Sequence, residues 1–460
     1  RPVREAGLKP AGQTRAEKRQ EDADRGGAAM TEDRIGPLRI GPPAHGGVCV
    51  ARWEGRVVFV AGTLPGELAM VEVTRRQTRQ WHGRAAEILE PSPDRRLHVW
   101  PLAEQTGVGG ADLGHVALPA QRDWKAAVIA GQLRRLAHLE RTVQVAPAPG
   151  DDGRGGLAWR TRVDFEADPD GRLAMHAAAE HRLVPVDSMP LAHEAIAALA
   201  PWRQAYEPGQ RVRVVHSAGA SPDGSDASAL VVAERADPPF VVEHLGLPGV
   251  PDCSYRLPAL GFWQVHRAAP AVLAAAVLEA AALAAGETVF DLYSGSGLFV
   301  LPLADAVGPR GRVWAVEADQ ASAAAAAANS LGRPAARVVC GDVAETLGGF
   351  TAPLGELGQK ARPPRPEAGR RAKPAAPKPL PRRADAIILD PPRTGVSRRV
   401  LAACCARAPR RIVYVACDIA ALARDLALLA EAGYQLAELR AFDLFPHTHH
   451  TECVALCVRS

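Results

Sequence analysis

Three short runs near the end of the chain hold side chains that could do chemistry together. They are Asp390-Pro391-Pro392-Arg393, Ala416-Cys417-Asp418 and Phe445-Pro446-His447-Thr448-His449-His450-Thr451-Glu452. These supply a loop-borne acid, a thiol and a second carboxylate. A free cysteine is most often a small buried hydrophobe, and that reading suffices for Cys49, Cys253, Cys340, Cys404, Cys405, Cys453 and Cys457. Cys417 differs by position. It follows the strand-like run 412–415 and precedes Asp418 at an expected helix start, where the local field favours a thiolate. A thiolate beside a carboxylate base suits methylation of a pyrimidine carbon. Carbon 5 of uracil is a poor nucleophile until a thiolate adds to carbon 6, which creates an enolate able to attack an electrophilic methyl. The extra proton on carbon 5 must then be removed so that the thiol can leave. Cys417 is the candidate nucleophile and Glu452 the candidate base.

Other motifs narrow the chemistry further. Asp390-Pro391-Pro392 resembles the loop of enzymes that methylate amino nitrogens, but those place an aromatic residue fourth, and here Arg393 stands there. The two prolines stiffen the loop and remove competing N–H donors, which leaves Asp390 held at the sheet edge. Upstream, Phe290-Asp291-Leu292-Tyr293-Ser294-Gly295-Ser296-Gly297 puts glycines after a strand and before a helix, where the backbone must turn sharply beneath a ligand. Glu317 follows at the end of the next strand, where a carboxylate can take ribose hydroxyls. The loop lacks the third glycine of the dinucleotide fingerprint and looks like the first motif of S-adenosylmethionine-dependent methyltransferases. Asp342 stands where such enzymes hold the adenine amino group; a helix cap is its other reading. His447, His449 and His450 crowd together, but no spaced Cys or carboxylate completes a zinc set, and no metal is expected.

Placing these groups falls to an α/β domain at 256–460. Strand-like runs at 288–292, 312–316, 337–339, 386–389 and 412–415 alternate with helical stretches, which implies a parallel, doubly wound sheet with ligands at the strands' C-terminal ends. Runs 435–442 and 453–458 lack a helix between them and are expected as an antiparallel edge. Residues 351–383, rich in Pro, Lys, Arg and Ala, are expected as a disordered basic insertion. Residues 93–255 read as a mixed α+β domain with an amphipathic helix at 121–139 and no legible chemistry. Residues 35–92 hold short strands broken by glycine turns, which suggests a small OB-like β-barrel. Arg75, Arg76, Arg79, Trp81 and Arg84 give that barrel a basic-with-aromatic texture suited to RNA.

The first 34 residues are expected to carry no fold, with Met30 as a candidate start of translation. A chain of 460 residues is too long for one core. Hydrophobic content of 47% and charged content of 23% are ordinary for a soluble globular protein, and net charge of +4 does not by itself demonstrate a polyanionic partner. The absence of a spanning apolar run, of an apolar leader and of a C-x-x-C pair points to a cytoplasmic protein with no membrane partner. A monomer is expected.

The order F-x-Q (Phe262-Trp263-Gln264), D-L-Y-x-G-x-G, D-P-P-R-x-G, A-C-D and F-P-H-T-x-H-x-E resembles that of the bacterial RNA uracil-C5 methyltransferases. Residues 35–92 are similar to the TRAM barrel that some members carry. The resemblance implies a Rossmann-like class I methyltransferase domain, S-adenosylmethionine as cofactor, and RNA as partner, ribosomal ahead of transfer RNA. It implies 5-methyluridine as product through a Cys417 adduct at uracil carbon 6, with Glu452 as base. Gln264, Tyr293, Glu317, Asp342 and Asp390 would be cofactor contacts. The chain departs from the pattern at Leu298 and His266, where asparagine is usual, and at Ile419, where proline follows the cysteine motif. These departures are expected to alter the cofactor pocket. Some members bind an iron–sulfur cluster through a C-G-G-C run; Val108-Gly109-Gly110-Ala111 stands there, and no cluster is expected. Two other readings stay open: an RNA-binding or assembly factor that has lost turnover, and methylation of another base atom.

Overall fold

The computed structural model describes residues 33–177, 182–217, 229–233, 239–348 and 380–459. Most of the expected basic insertion and of the N-terminal 34 residues lies outside them. The chain divides into two compact units, Arg1–Ala44 with Val48–Pro93 and His45–Gly47 with Asp94–Ser460. Among the described residues, no helix is long and apolar enough to cross a membrane.

The first unit is a six-stranded sheet whose strands alternate buried and exposed residues. The strand Arg56–Ala61 pairs parallel with Gln80–Glu90 and antiparallel with Val48–Trp53. Hydrogen bonds from Gly41 N to Val50 O (2.7 Å) and from Val50 N to Pro42 O (3.0 Å) bring the chain leaving the first strand back to the far side of the sheet. Gly83 permits the tight bend: a Cβ there would sit 2.7 Å from the Glu72 carbonyl. Trp81 lies between the guanidinium groups of Arg56 (5.2 Å) and Arg76 (4.7 Å).

The second unit is built on an eight-stranded sheet. Its strands are β1 (Val145–Pro147), β2 (Thr288–Leu292), β3 (Arg312–Glu317), β4 (Ala336–Cys340), β5 (Ala386–Leu389), β6 (Arg411–Ala416), β7 (Tyr434–Asp443) and β8 (Glu452–Arg459). They lie in the order β4-β3-β2-β5-β6-β8-β7-β1. Strands β2 to β6 are parallel, and β8 runs antiparallel to both neighbours. The expected antiparallel pair is present, but it is not the edge. β1, from far upstream, pairs in parallel with the last residues of β7 (Ala441 opposite Val145, Asp443 opposite Pro147) and covers that end of it.

The parallel strands are mostly apolar because both faces are covered. Val289, Val313, Ile388, Val413 and Val415 join one core with helices α2 (Ala269–Ala281) and α3 (Val300–Val307). Phe290, Leu292, Leu389, Ile412 and Tyr414 join the other, with α1 (Leu118–Gln132), α5 (Arg398–Cys405) and α6 (Ile419–Glu431). The helix expected at 121–139 is α1, which ends at Gln132 and continues as a π-helical turn, Leu133–Ala137. A five-stranded antiparallel sheet and the hairpin of Phe240–Leu245 with Cys253–Pro258 complete the unit. Strand order reverses at β2: β3 and β4 lie to one side, β5 and β6 to the other. The crevice beyond the C-terminal ends of β2 and β5 is therefore where the topology opens a ligand site.

Candidate active site

The pleat places two acids at that crevice. Val289 and Ile388 point into the core under α2, so Asp291 and Asp390, each two residues on, emerge on the same face. Asp291 is fully buried, and neither of its carboxyl oxygens has a hydrogen-bond partner. The Ser294 hydroxyl is also buried and unpartnered. Burial, then the nearby Asp390 and Glu317, pushes the Asp291 carboxyl well above the usual carboxylate range. Burial raises Asp390 to about 7.

The sign of the Asp390 effect gives a stability prediction. The folded protein holds this proton more tightly than the unfolded chain, so the associated stability is present below the unfolded value of 3.8 and is lost as pH rises through about 7. Asp390→Asn removes the titration. The variant should therefore gain melting temperature over the wild type at about pH 8 and gain less at about pH 5.5. A gain that is equal at both values would show that Asp390 does not titrate in this window.

The loop after β2 is wound tightly. Tyr293 (φ 65), Gly295 (φ 53) and Gly297 (φ 91) all take left-handed backbone, and a Cβ on Gly297 would lie 3.1 Å from Ala326. For Tyr293 this conformation is strained and held by its surroundings. The Glu317 carboxylate braces the loop: Oε2 accepts from Gly295 N (2.8 Å) and Oε1 from Asp319 N (2.7 Å). Asp342 is exposed and caps a short helix by accepting from Glu345 N (3.0 Å). Gln264 is half-buried, and its amide makes no hydrogen bond among the described residues.

The departures from the family pattern are structural in a way the sequence did not suggest. Leu298 is buried in the α2 core and its carbonyl accepts from Tyr255 Oη (2.8 Å). Ile419 starts α6 and packs into the opposite core. His266 is buried, with Nε2 2.9 Å from Asp151 Oδ2 and Nδ1 accepting from Ala268 N, and its ring stacks on Trp159. Asp151 also accepts from Arg154 (2.7 Å). These three side chains serve packing and a buried network.

Cys417 and Glu452 face each other across strands. β6 pairs with β8 so that Ala416 stands opposite Cys453, and one step further places Cys417 opposite Glu452. The environment does not favour a thiolate. Burial first, then Glu452 and Asp390, pushes the thiol up to about 12, with Arg393 pulling the other way. The start of α6 is already capped by Asp418, which accepts from Ala421 N (2.8 Å). The expected thiolate is thus overturned for the ligand-free protein, because burial and the nearby carboxyls outweigh the helix field. Glu452 is pushed well above the carboxylate range by burial and by Asp390.

Two clamps hold the loops. Asp425, buried on α6, accepts from Val396 N and Tyr414 Oη (both 2.7 Å), while Arg424 donates to Thr394 O (2.9 Å). These fix the turn after Asp390-Pro391-Pro392-Arg393. The loop between β7 and β8 is held from α1: Lys125 Nζ binds Asp443 (2.5 Å) and Phe445 O (3.1 Å), and Gln121 binds His447. The three histidines take different polar partners, although the His449 and His450 rings lie 4.1 Å apart. His447 turns to Gln121 and Gly155, His449 to Asp112 (2.7 Å), and His450 to Arg393 (3.3 Å). No metal-binding group of three such side chains forms among the described residues.

Sequence reasoning found Cys417, Glu452, Asp390, Tyr293 and Glu317, which the fold brings to one end of the sheet. It missed Gln121, Lys125, Asp112 and Asp425. One signal was available: Gln121 and Lys125 stand four apart around Trp124, polar residues on the buried stripe of an amphipathic helix.

The profile of the tRNA (uracil-5-)-methyltransferase family matches residues 382–460. The chain is 39% identical over 451 residues to an uncharacterised RNA methyltransferase of Bifidobacterium longum, covering 92% of this chain and 96% of that one. It is 36% identical to another from Streptomyces coelicolor, covering 91% and 92%. Among solved structures it is similar to the tRNA (uracil-54, C5)-methyltransferase of Pyrococcus abyssi in complex with S-adenosyl-L-homocysteine. That fold superposes with a TM-score of 0.60 at 20% identity, over 92% of this chain and 100% of that one.

Proposed function

The chain belongs to the bacterial RNA (uracil-5-)-methyltransferase family, and on that footing we propose that it forms 5-methyluridine through a covalent adduct between Cys417 and uracil carbon 6. The observation that carries the reading is that Cys417 follows directly on the β6–β8 pairing and Glu452 opens β8 beside it, with Glu452, Asp390 and Arg393 all close enough to perturb the thiol.

S-adenosylmethionine fits the crevice as cofactor. Asp291 and Ser294 hold buried polar atoms without partners, the Gln264 amide is free, and the acids around β2 and β5 lack a counter-charge. Gln264, Tyr293, Glu317, Asp342 and Asp390 would hold it. When bound it supplies an electrophilic methyl group and positive charge. The chain's own residues do the rest. Cys417 loses its proton to water, and its sulfur forms a bond to carbon 6 while the carbon 5–carbon 6 double-bond electrons pass into the enolate. After carbon 5 carries the methyl, Glu452 acts as the carboxylate and takes the carbon-5 proton. The C–H electrons restore the double bond, the sulfur–carbon bond breaks, and its electron pair returns to sulfur. Burial makes Glu452 a strong proton acceptor once ionised.

The target is RNA, ribosomal ahead of transfer RNA. Mass spectrometry of digested ribosomal and transfer RNA from wild-type and deletion cells tests this. Loss of one 5-methyluridine names the substrate; unchanged levels in both pools would overturn the proposed activity. Absence of a calorimetric signal with S-adenosylhomocysteine would instead favour an RNA-binding role without turnover.

A pH prediction follows from the raised thiol. Below its pKa the ionised fraction rises about tenfold per pH unit, so adduct formation should accelerate from about pH 6.5 to about pH 8.5. Arg393→Leu removes the opposing cation and should slow adduct formation about tenfold at fixed pH, with partial recovery at higher pH. Rapid-quench measurement of adduct in both proteins checks this; a pH-independent deficit would place Arg393 in another role.

A further inference from the structure

We infer that Gln121 and His447 form a positioning pair that aims Glu452, and so govern removal of the carbon-5 proton and release of the thiol rather than formation of the adduct. The inference rests on the reaction proposed above.

Glu452 is the first residue of β8, and its side chain makes no hydrogen bond among the described residues. Its direction is therefore set by its backbone and by the loop that delivers it. That loop is pinned at its sharpest point. His447 is buried and takes left-handed backbone (φ 66), a strained state for a residue with a Cβ. Four hydrogen bonds impose it. His447 N donates to Gln121 Oε1 (2.7 Å), Gln121 Nε2 donates to His447 Nδ1 (3.1 Å), His447 Nε2 donates to Gly155 O (2.9 Å), and Leu113 N donates to His447 O (2.8 Å). Gln121 is itself anchored through Val116 O (2.7 Å). A Cβ on Gly156 would come within 2.9 Å of the His447 ring, so no slack exists on that side.

Cys417 is positioned by other means. It leaves β6 directly, beside the Asp418 cap of α6, and neither element touches Gln121 through a hydrogen bond. Loosening the pair should thus displace the base while leaving the nucleophile in place. A displacement of about 1 Å at a reacting group costs on the order of a hundredfold.

The test follows methyl-labelled cofactor into ordinary uridine-containing RNA with Gln121→Leu, Gln121→Glu and His447→Asn; asparagine tolerates the left-handed backbone but loses the ring contacts. Adduct formation should stay within about threefold of wild type, while release of 5-methyluridine falls about tenfold or more and protein-bound, methylated RNA accumulates. Melting temperatures identify the variants that fold, and the isosteric Gln121→Glu serves if the others do not. Parallel loss of adduct formation and release, or unchanged release, overturns the inference. Failure of the wild type to make 5-methyluridine would overturn the underlying reaction instead.

Discussion

Cys417→Ala is expected to abolish 5-methyluridine formation, by about 10⁴-fold or more, while leaving S-adenosylhomocysteine binding and RNA binding within a few-fold of wild type. The thiol is half-buried at the end of β6 and hydrogen-bonds to no side chain, so its truncation opens no large cavity and orphans no partner. Without a group to add at carbon 6, carbon 5 stays a poor nucleophile. Incubation with RNA containing 5-fluorouridine gives the second readout. Fluorine cannot leave carbon 5 as a cation, so the wild type should be trapped as a denaturation-resistant complex and the variant should not. A complex that persists in Cys417→Ala would remove Cys417 as the nucleophile and return one of the other seven cysteines to consideration.

Glu452→Gln should separate the two halves of the reaction. The amide cannot accept the carbon-5 proton, so steady-state turnover should fall about 10²- to 10⁴-fold while the methylated adduct builds up on unmodified RNA. A stability effect accompanies it. Glu452 binds its proton more tightly in the folded protein than in the unfolded chain, so the associated stability is present below the unfolded value of 4.5 and is lost as pH rises through the raised one. The isosteric amide removes this loss, and the variant should melt no lower than wild type at neutral pH and higher at alkaline pH. Equal loss of adduct and product would mean that Glu452 acts before the bond to sulfur forms. The contrast with Gln121 variants is then informative, because a positioning defect slows the same step without removing the base.

Much of the fold was legible because the relevant signals are local. Five apolar runs alternating with helical stretches describe a parallel sheet, since strands covered on both faces carry hydrophobic side chains at most positions. The glycine loop after β2 was legible because a tight left-handed turn demands residues that accept positive φ. The edge of the sheet was not. Val145–Pro147 is too short to be recognised as a strand, and its partner Ala441 lies at the other end of the chain. The loop clamps were equally hidden. Gln121 and His447 are separated by 326 residues, and nothing local marks either as the other's partner.

Asp342 and Glu317 show a finer limit. Their spacing suggested acids beside a nucleoside, and in the fold each has a backbone partner, a helix end for one and the glycine loop for the other. Which reactive groups exist, their order, and the strands whose ends carry them can be read along the chain: Asp390 after β5, Cys417 after β6, Glu452 opening β8. Their protonation cannot be read that way. Burial and neighbouring carboxyls hold the Cys417 thiol protonated where a helix start alone suggested a thiolate. The physical reason is that connectivity and periodicity are written along the chain, whereas a proton's affinity depends on dielectric and charge within a few ångströms, supplied here by segments brought together only by folding.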